Sequence, residues 1–284
     1  MTVFFIAAAL VFSPGDAKLA YDTATALVEH CTPRDSGTPR GRSAAYRLLD
    51  AASAAGGDVV MDSFKADTPK GERLFTNLIA EFCSDEKAPW VVLLSHYDTK
   101  TGVNCPGAND GASTSGLMVG IVNALTSWKT PRGNVMLVWT DGEECMKGYT
   151  DNDGLWGSRH AAAKLAESGR KVRAVICLDM LGDRDLNITV PANGSKTLAN
   201  IAVHAARRIG EKDLIKFCDE HVTDDHVPFL KRGYKAIDLI DFNYGSAPGL
   251  NDYWHTPQDT MDKISEASLL KSGRLVAELL NILL

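Results

Sequence analysis

Three short runs constrain this chain more than anything else in it. Residues 90–95 (WVVLLS), 134–139 (NVMLVW) and 173–178 (RAVICL) are almost wholly apolar and of strand length. A strand with one wet face alternates apolar and polar residues; a run without that alternation belongs to a strand covered on both sides. Between these runs, 113–128 and 155–168 carry helical spacing. Such strands alternating with helices make an α/β sheet with helices on both faces. Residues 59–64 and 74–82 flank the Pro69-Lys70-Gly71 turn and read as an antiparallel pair at one sheet edge. Further helices are predicted over 21–30, 41–55, 198–209 and 265–284, and a further strand over 236–241. The expected fold is a mixed, mostly parallel central sheet in one domain spanning 18–284.

Length and charge remove several functions. The chain has 284 residues, ordinary for one α/β domain, with 45% hydrophobic and 23% charged residues, as in globular proteins. Its net charge of −6, with no basic stripe, excludes a nucleic-acid binder. The apolar run 3–12 is too short to span a bilayer, so no stable membrane insertion is expected. Residues 1–17 read either as a signal-like segment lacking its basic start or as a buried first segment. Secretion or a periplasmic location is the expectation, with the cytoplasm left open. Six cysteines without a CxxC pair make neither a disulfide scaffold nor a cysteine zinc site, and leave room for one or two bridges in an exported chain. A monomer is expected.

The chemistry is predicted at the strand ends, because open α/β sheets bind ligands beyond the carboxyl ends of their strands. Run 90–95 leads into His96-Tyr97-Asp98, run 134–139 into Asp141-Gly142-Glu143-Glu144, and run 173–178 into Asp179. Strand 236–241 leads through a Gly/Pro loop to Trp254-His255, and Asp110 sits just before a helix. Any one of these acids could be an ordinary helix cap or surface carboxylate. Five carboxylates gathered on one rim would repel one another unless a cation compensated them. Histidine with Asp and Glu, and no cysteine, is the ligand set of a catalytic zinc site with open positions. Neighbours at a strand end point in different directions. Of Glu143 and Glu144, one can therefore bind metal while the other serves as general base.

These residues fall into a known pattern. The chain resembles the zinc-dependent aminopeptidase-like fold and, within it, the glutaminyl-peptide cyclotransferases (glutaminyl cyclases). The segments that carry the likeness are SHYDTK (95–100), PGANDGAS (106–113), DGEE with DGLWGSRH (141–160), LDMLG (178–182), DDHVPFLKRGY (224–234) and WHTPQDT (254–260). The resemblance implies that Asp110, Glu144 and His255 hold one zinc ion and that Glu143 is the general acid/base. It implies that Asp179 and Asp224 are catalytic acidic partners that hydrogen-bond near Glu143 and the reacting groups, and that Trp254 and Tyr149 border the substrate pocket. In dinuclear relatives a second metal uses the positions of His96 and Asp179, so two ions remain open. Tyr149 stands where animal cyclases have a tryptophan, and PGANDGAS and HTPQDT are as close to the aminopeptidases as to the cyclases.

The implied reaction is an intramolecular acyl transfer on peptide or protein N-termini. The α-amine of an N-terminal glutamine attacks its own side-chain amide, Glu143 carries the proton to the departing ammonia, and pyroglutamate results. The alternative is a one- or two-metal aminopeptidase, in which Glu143 activates water. A non-catalytic receptor on the same fold would have lost a ligand, yet every ligand position is filled. Residues 183–220 offer no motif.

Overall fold

The computed structural model describes residues 8–130 and 132–284. Eight strands form a single mixed sheet: β1 (Val59–Ala66), β2 (Arg73–Phe82), β3 (Trp90–His96), β4 (Asn134–Thr140), β5 (Val172–Asp179), β6 (Ile188–Val190), β7 (Ile215–Phe217) and β8 (Ala236–Ile240). Their order across the sheet is β1-β2-β4-β3-β5-β8-β6-β7. The four central strands β4, β3, β5 and β8 are mutually parallel, and β1 and β2 form the expected antiparallel edge. His96 registers with Thr140, and Asp179 with Ile240. The carboxyl ends of the central strands therefore open onto one rim.

The apolar runs split between two layers, as a doubly covered strand requires. In β3, Val91 and Leu93 join a core with helices α1 (Pro14–Cys31), α2 (Pro39–Ala54), α3 (Thr114–Thr126), α5 (Lys196–Arg208) and α7 (Glu266–Leu283). Val92 and Leu94 face α4 (Trp156–Glu167) and α6 (His226–Leu230) in a second cluster on the other side. All four side chains are fully buried. Each contributes about 1.5–3 kcal/mol of transfer free energy, which is why these strands tolerate no polar alternation.

The boundary expected after residue 17 falls inside α1, which starts at Pro14 behind a Ser13–Asp16 capping box and runs on unbroken. Residues 1–7 of the apolar segment lie outside the described residues. In its described part Leu10 and Phe12 are buried while Val11 between them is exposed, and the Leu10 N–H donates to Asn281 Oδ1 of α7 at 2.8 Å. Two strands and one helix, β6, β7 and α6, were not anticipated; at three to five residues they are too short to show a period. All six cysteines are free. Among the described residues, no helix is long and apolar enough to cross a membrane.

Candidate active site

Each strand end delivers one part of the site. β3 ends in His96, and the loop after it turns Asp98 inward, fully buried. The Asp98 carboxylate accepts from the Glu143 N–H at 3.1 Å and from the Glu144 N–H at 3.3 Å. It thus fixes the backbone of the loop after β4. Asp110 lies in a π-helical turn, Ala108–Ser113, broken by non-helical angles at Asp110 and Gly111. Gly111 has φ +91°, and a Cβ there would come within 2.9 Å of the Asp98 carbonyl oxygen. Only glycine allows this turn to press Asp110 against the β3 end.

Two buried groups that sequence reasoning missed hold the Asp110 turn. The Asp259 carboxylate accepts from the Asn109 N–H at 2.7 Å, the Asp110 N–H at 3.1 Å and the Tyr244 hydroxyl at 2.6 Å. The Arg34 guanidinium, fully buried, donates to the carbonyls of Tyr97, Pro106 and Gly107 at 2.6 Å each and to that of Asp110 at 3.2 Å. Asp259 could have been suspected from its place in WHTPQDT. Arg34 carried no signal, since its partners are backbone oxygens remote in sequence.

Asp110, Glu144 and His255 meet. His255 Nε2 lies 2.7 Å from Glu144 Oε1 and 3.4 Å from Asp110 Oδ2, and one ligand atom from each of the three falls within 4.8 Å of the others. Burial works against the charged imidazole, but the hydrogen bonds to Asp110 and Glu144 outweigh it and raise His255 to about 9. The same partnership with His255 and His96 holds Asp110 below its usual range against the opposing effect of burial. Lys100 Nζ contacts the other Glu144 oxygen at 3.2 Å. Two nearly dry carboxylates and an imidazole aimed at one point fit the N/O donor set of a divalent cation such as zinc. Backbone strain collects here as well. Among the described residues the non-glycine positive φ values are at Leu155, Met180 and His255. The first closes the loop after Glu143–Glu144, the second follows Asp179, and the third is a member of the set.

The remaining sequence candidates lie around this point. Asp179 Oδ1 pairs with His96 Nε2 at 3.1 Å, and the same nitrogen is 3.2 Å from Asp110 Oδ1. These three side chains form a second convergent group. Burial raises Asp179 to about 7, with His96 pulling the other way. Asp224 is buried and in contact with Cys177 Sγ and its neighbour's amide, Asp225 N–H. Asp179 and Asp224 line the same cavity as Glu143, while their side-chain contacts are to His96 and to Cys177 and the Asp225 N–H. The Glu143 side chain accepts from the Tyr149 hydroxyl at 2.8 Å. Burial, with Glu144 and Asp224 nearby, pushes the Glu143 carboxyl well above its usual range. Trp254 is not core: it is 37% exposed, stacks on His255 at 3.8 Å and meets Phe242 edge-on at 6.0 Å.

A cavity of about 720 Å³ opens over this assembly, with Glu143, Glu144, Asp110 and His255 on its lining and Tyr149 and Trp254 on its walls. Its size suits a residue or two of a peptide, and its mix of apolar walls and a few convergent polar groups is that of a small-molecule site.

A model described as peptidase family M28 matches residues 77–280. The crystal structure of an Acidobacteriales bacterium glutaminyl cyclase is 33% identical to this chain, with a TM-score of 0.89, covering 100% of this chain and 98% of that one. A Porphyromonas gingivalis glutaminyl cyclase is 28% identical, with a TM-score of 0.84, over 96% of this chain and 99% of that one. The glutaminyl-peptide cyclotransferase of Drosophila melanogaster is 27% identical over 240 residues, covering 74% of this chain. This chain spans about two thirds of that relative's length, 66%.

Proposed function

The chain belongs to the glutaminyl cyclases of peptidase family M28, and from that premise we propose that it converts the N-terminal glutamine of peptides to pyroglutamate with release of ammonia. The observation that carries this reading is the complete donor set: Asp110, Glu144 and His255 converge on one point, with Glu143 beside them on the cavity lining. Asp110, Glu144 and His255 would hold one zinc ion, the three protein ligands usual for catalytic zinc. Bound there, zinc supplies Lewis-acid polarisation of the glutamine γ-carbonyl.

The rest falls to the chain's own groups. Trp254, beside His255, provides a flat wall against which the glutamine side chain can fold toward its own α-amine, and holding that near-attack geometry is itself catalytic. As the amine nitrogen bonds to the amide carbon, Glu143 takes one proton from it. Glu143 then gives that proton to the departing nitrogen, the old C–N bond breaks, and ammonia leaves. Asp98 keeps Glu143 and Glu144 in register through their backbone amides, so that one carboxyl faces the substrate and its neighbour the ion.

A second reading is favoured by one observation, the group His96, Asp110 and Asp179, which could hold a second ion and so support hydrolysis of the first peptide bond. One experiment separates the two. Metal-loaded protein is incubated with a Gln-initiated and a Leu-initiated peptide and the products are weighed by mass spectrometry. Loss of 17 Da, about one ammonia, from the first peptide alone supports the cyclase, whereas loss of the terminal residue from either supports the peptidase.

A further inference from the structure

Three separate contacts constrain Glu143. Its N–H is held by Asp98 Oδ1 at 3.1 Å, its carbonyl accepts from the Leu155 N–H at 2.9 Å, and its carboxyl accepts from the Tyr149 hydroxyl at 2.8 Å. The first two fix the backbone; only the third fixes the side chain. We propose that the Tyr149 hydroxyl is a positioning group for the acid/base of this enzyme: it pins Oε1 of Glu143 and leaves Oε2 to face the substrate. The proposal rests on the reading of Glu143 as the proton carrier.

The loop that bears Tyr149 is built to present that hydroxyl. The Asp153 carboxylate gathers three successive amides, Met146, Lys147 and Gly148, at 2.6, 2.8 and 3.1 Å. Thr150 and Asp153 close the turn through a reciprocal pair of backbone bonds. Gly154, at φ +80°, lets the Tyr149 ring settle where a Cβ would come within 2.6 Å of it. Lys100 Nζ lies over the ring, 5.8 Å from its centroid. A ring needed only as an apolar wall would not require its oxygen to be aimed at a carboxylate.

The chemistry explains why pinning matters. A carboxyl that takes a proton from one nitrogen and gives it to another must keep the same oxygen in place through both transfers. A hydroxyl donor on Oε1 does this in either protonation state, since it can donate to a carboxylate oxygen or to the carbonyl oxygen of the acid. It also strengthens as charge remains on the acceptor. The predicted tryptophan-like role of this position, a pocket wall, is therefore only half of what Tyr149 supplies.

The test is Tyr149→Phe, which keeps the ring and deletes the oxygen. It is assayed on whichever reaction the wild type performs, ammonia release or residue release, so failure of the cyclase reading does not hide the outcome. The expected result is a kcat lower by about 10- to 100-fold, the range for a lost hydrogen bond to a charged group. KM should stay within about twofold, with zinc content and melting temperature as in wild type. In a Glu143→Gln background the same change should cost nothing further, because the proton carrier is already gone. A raised KM at constant kcat, an equal loss in both backgrounds, or no effect at all would overturn the proposal. So would a Glu143→Gln protein that turns over normally.

Discussion

Replacing Arg34 by lysine should unfasten the turn that carries Asp110 although the charge is kept. The guanidinium makes four hydrogen bonds to four carbonyls through Nε, Nη1 and Nη2, and it is fully buried. An ammonium at the end of a flexible stem has no planar fork and can reach at most about two of those oxygens at once. Hydrogen bonds to a charged group contribute about 1.5–3 kcal/mol each, so losing two costs about 3–6 kcal/mol. Attraction from Asp110 and Asp259 survives the exchange, because it depends on charge and not on the fork. At about 2 °C per kcal/mol for a chain of this length, Arg34→Lys should melt about 6–12 °C lower. The loss is local: two of the four carbonyls, Gly107 and Asp110, belong to the segment that presents the Asp110 carboxylate. Loss of such outer support typically weakens metal binding by about 10–100-fold. Calorimetric melting and a zinc competition titration measure the two effects on the same sample. A melting point within about 2 °C of wild type, with unchanged zinc affinity, would show that the buried fork does not hold the turn.

Three further outcomes are expected. Glu143→Gln should retain its zinc and lose turnover by at least about 10²–10⁴-fold; lost zinc would mean that Glu143 and Glu144 have exchanged roles. His255→Ala should leave too few ligands for tight binding, so that dialysed protein contains little zinc by elemental analysis, while zinc content near one equivalent would refute the ligand set. Trp254→Ala should keep the metal and raise KM, with about 1–3 kcal/mol of binding lost with the aromatic wall. Unchanged KM and kcat would assign the ring to packing on His255 and Phe242.

The parts of this molecule that could be read from sequence are those whose cause is local. β3, β4 and β5 were visible because a doubly buried strand must be apolar at every position, and their ends named His96, Glu143, Glu144 and Asp179. Asp110 and His255 were visible for the same reason at one remove, as acid and imidazole in glycine- and proline-marked loops. The two short strands β6 and β7 were not, because three residues hold too little pattern; they are fixed by the neighbours they pair with. The supporting polar groups form a third class. Arg34, Asp98, Asp153 and Asp259 all act on backbone N–H or C=O groups. Asp98 was visible at the end of the 90–95 run and Asp259 within WHTPQDT, but their partners were not: a backbone group has no identity in the sequence, so no spacing rule points to it. Such groups are nevertheless what turns a list of ligands into a site. Asp98 sets the register of the two adjacent glutamates, Arg34 and Asp259 hold the turn of Asp110 from opposite sides, and Asp153 shapes the loop that brings Tyr149 to Glu143. The candidate site residues were therefore legible as types at strand ends, whereas the precision of their placement is written in buried charges whose partners are the main chain.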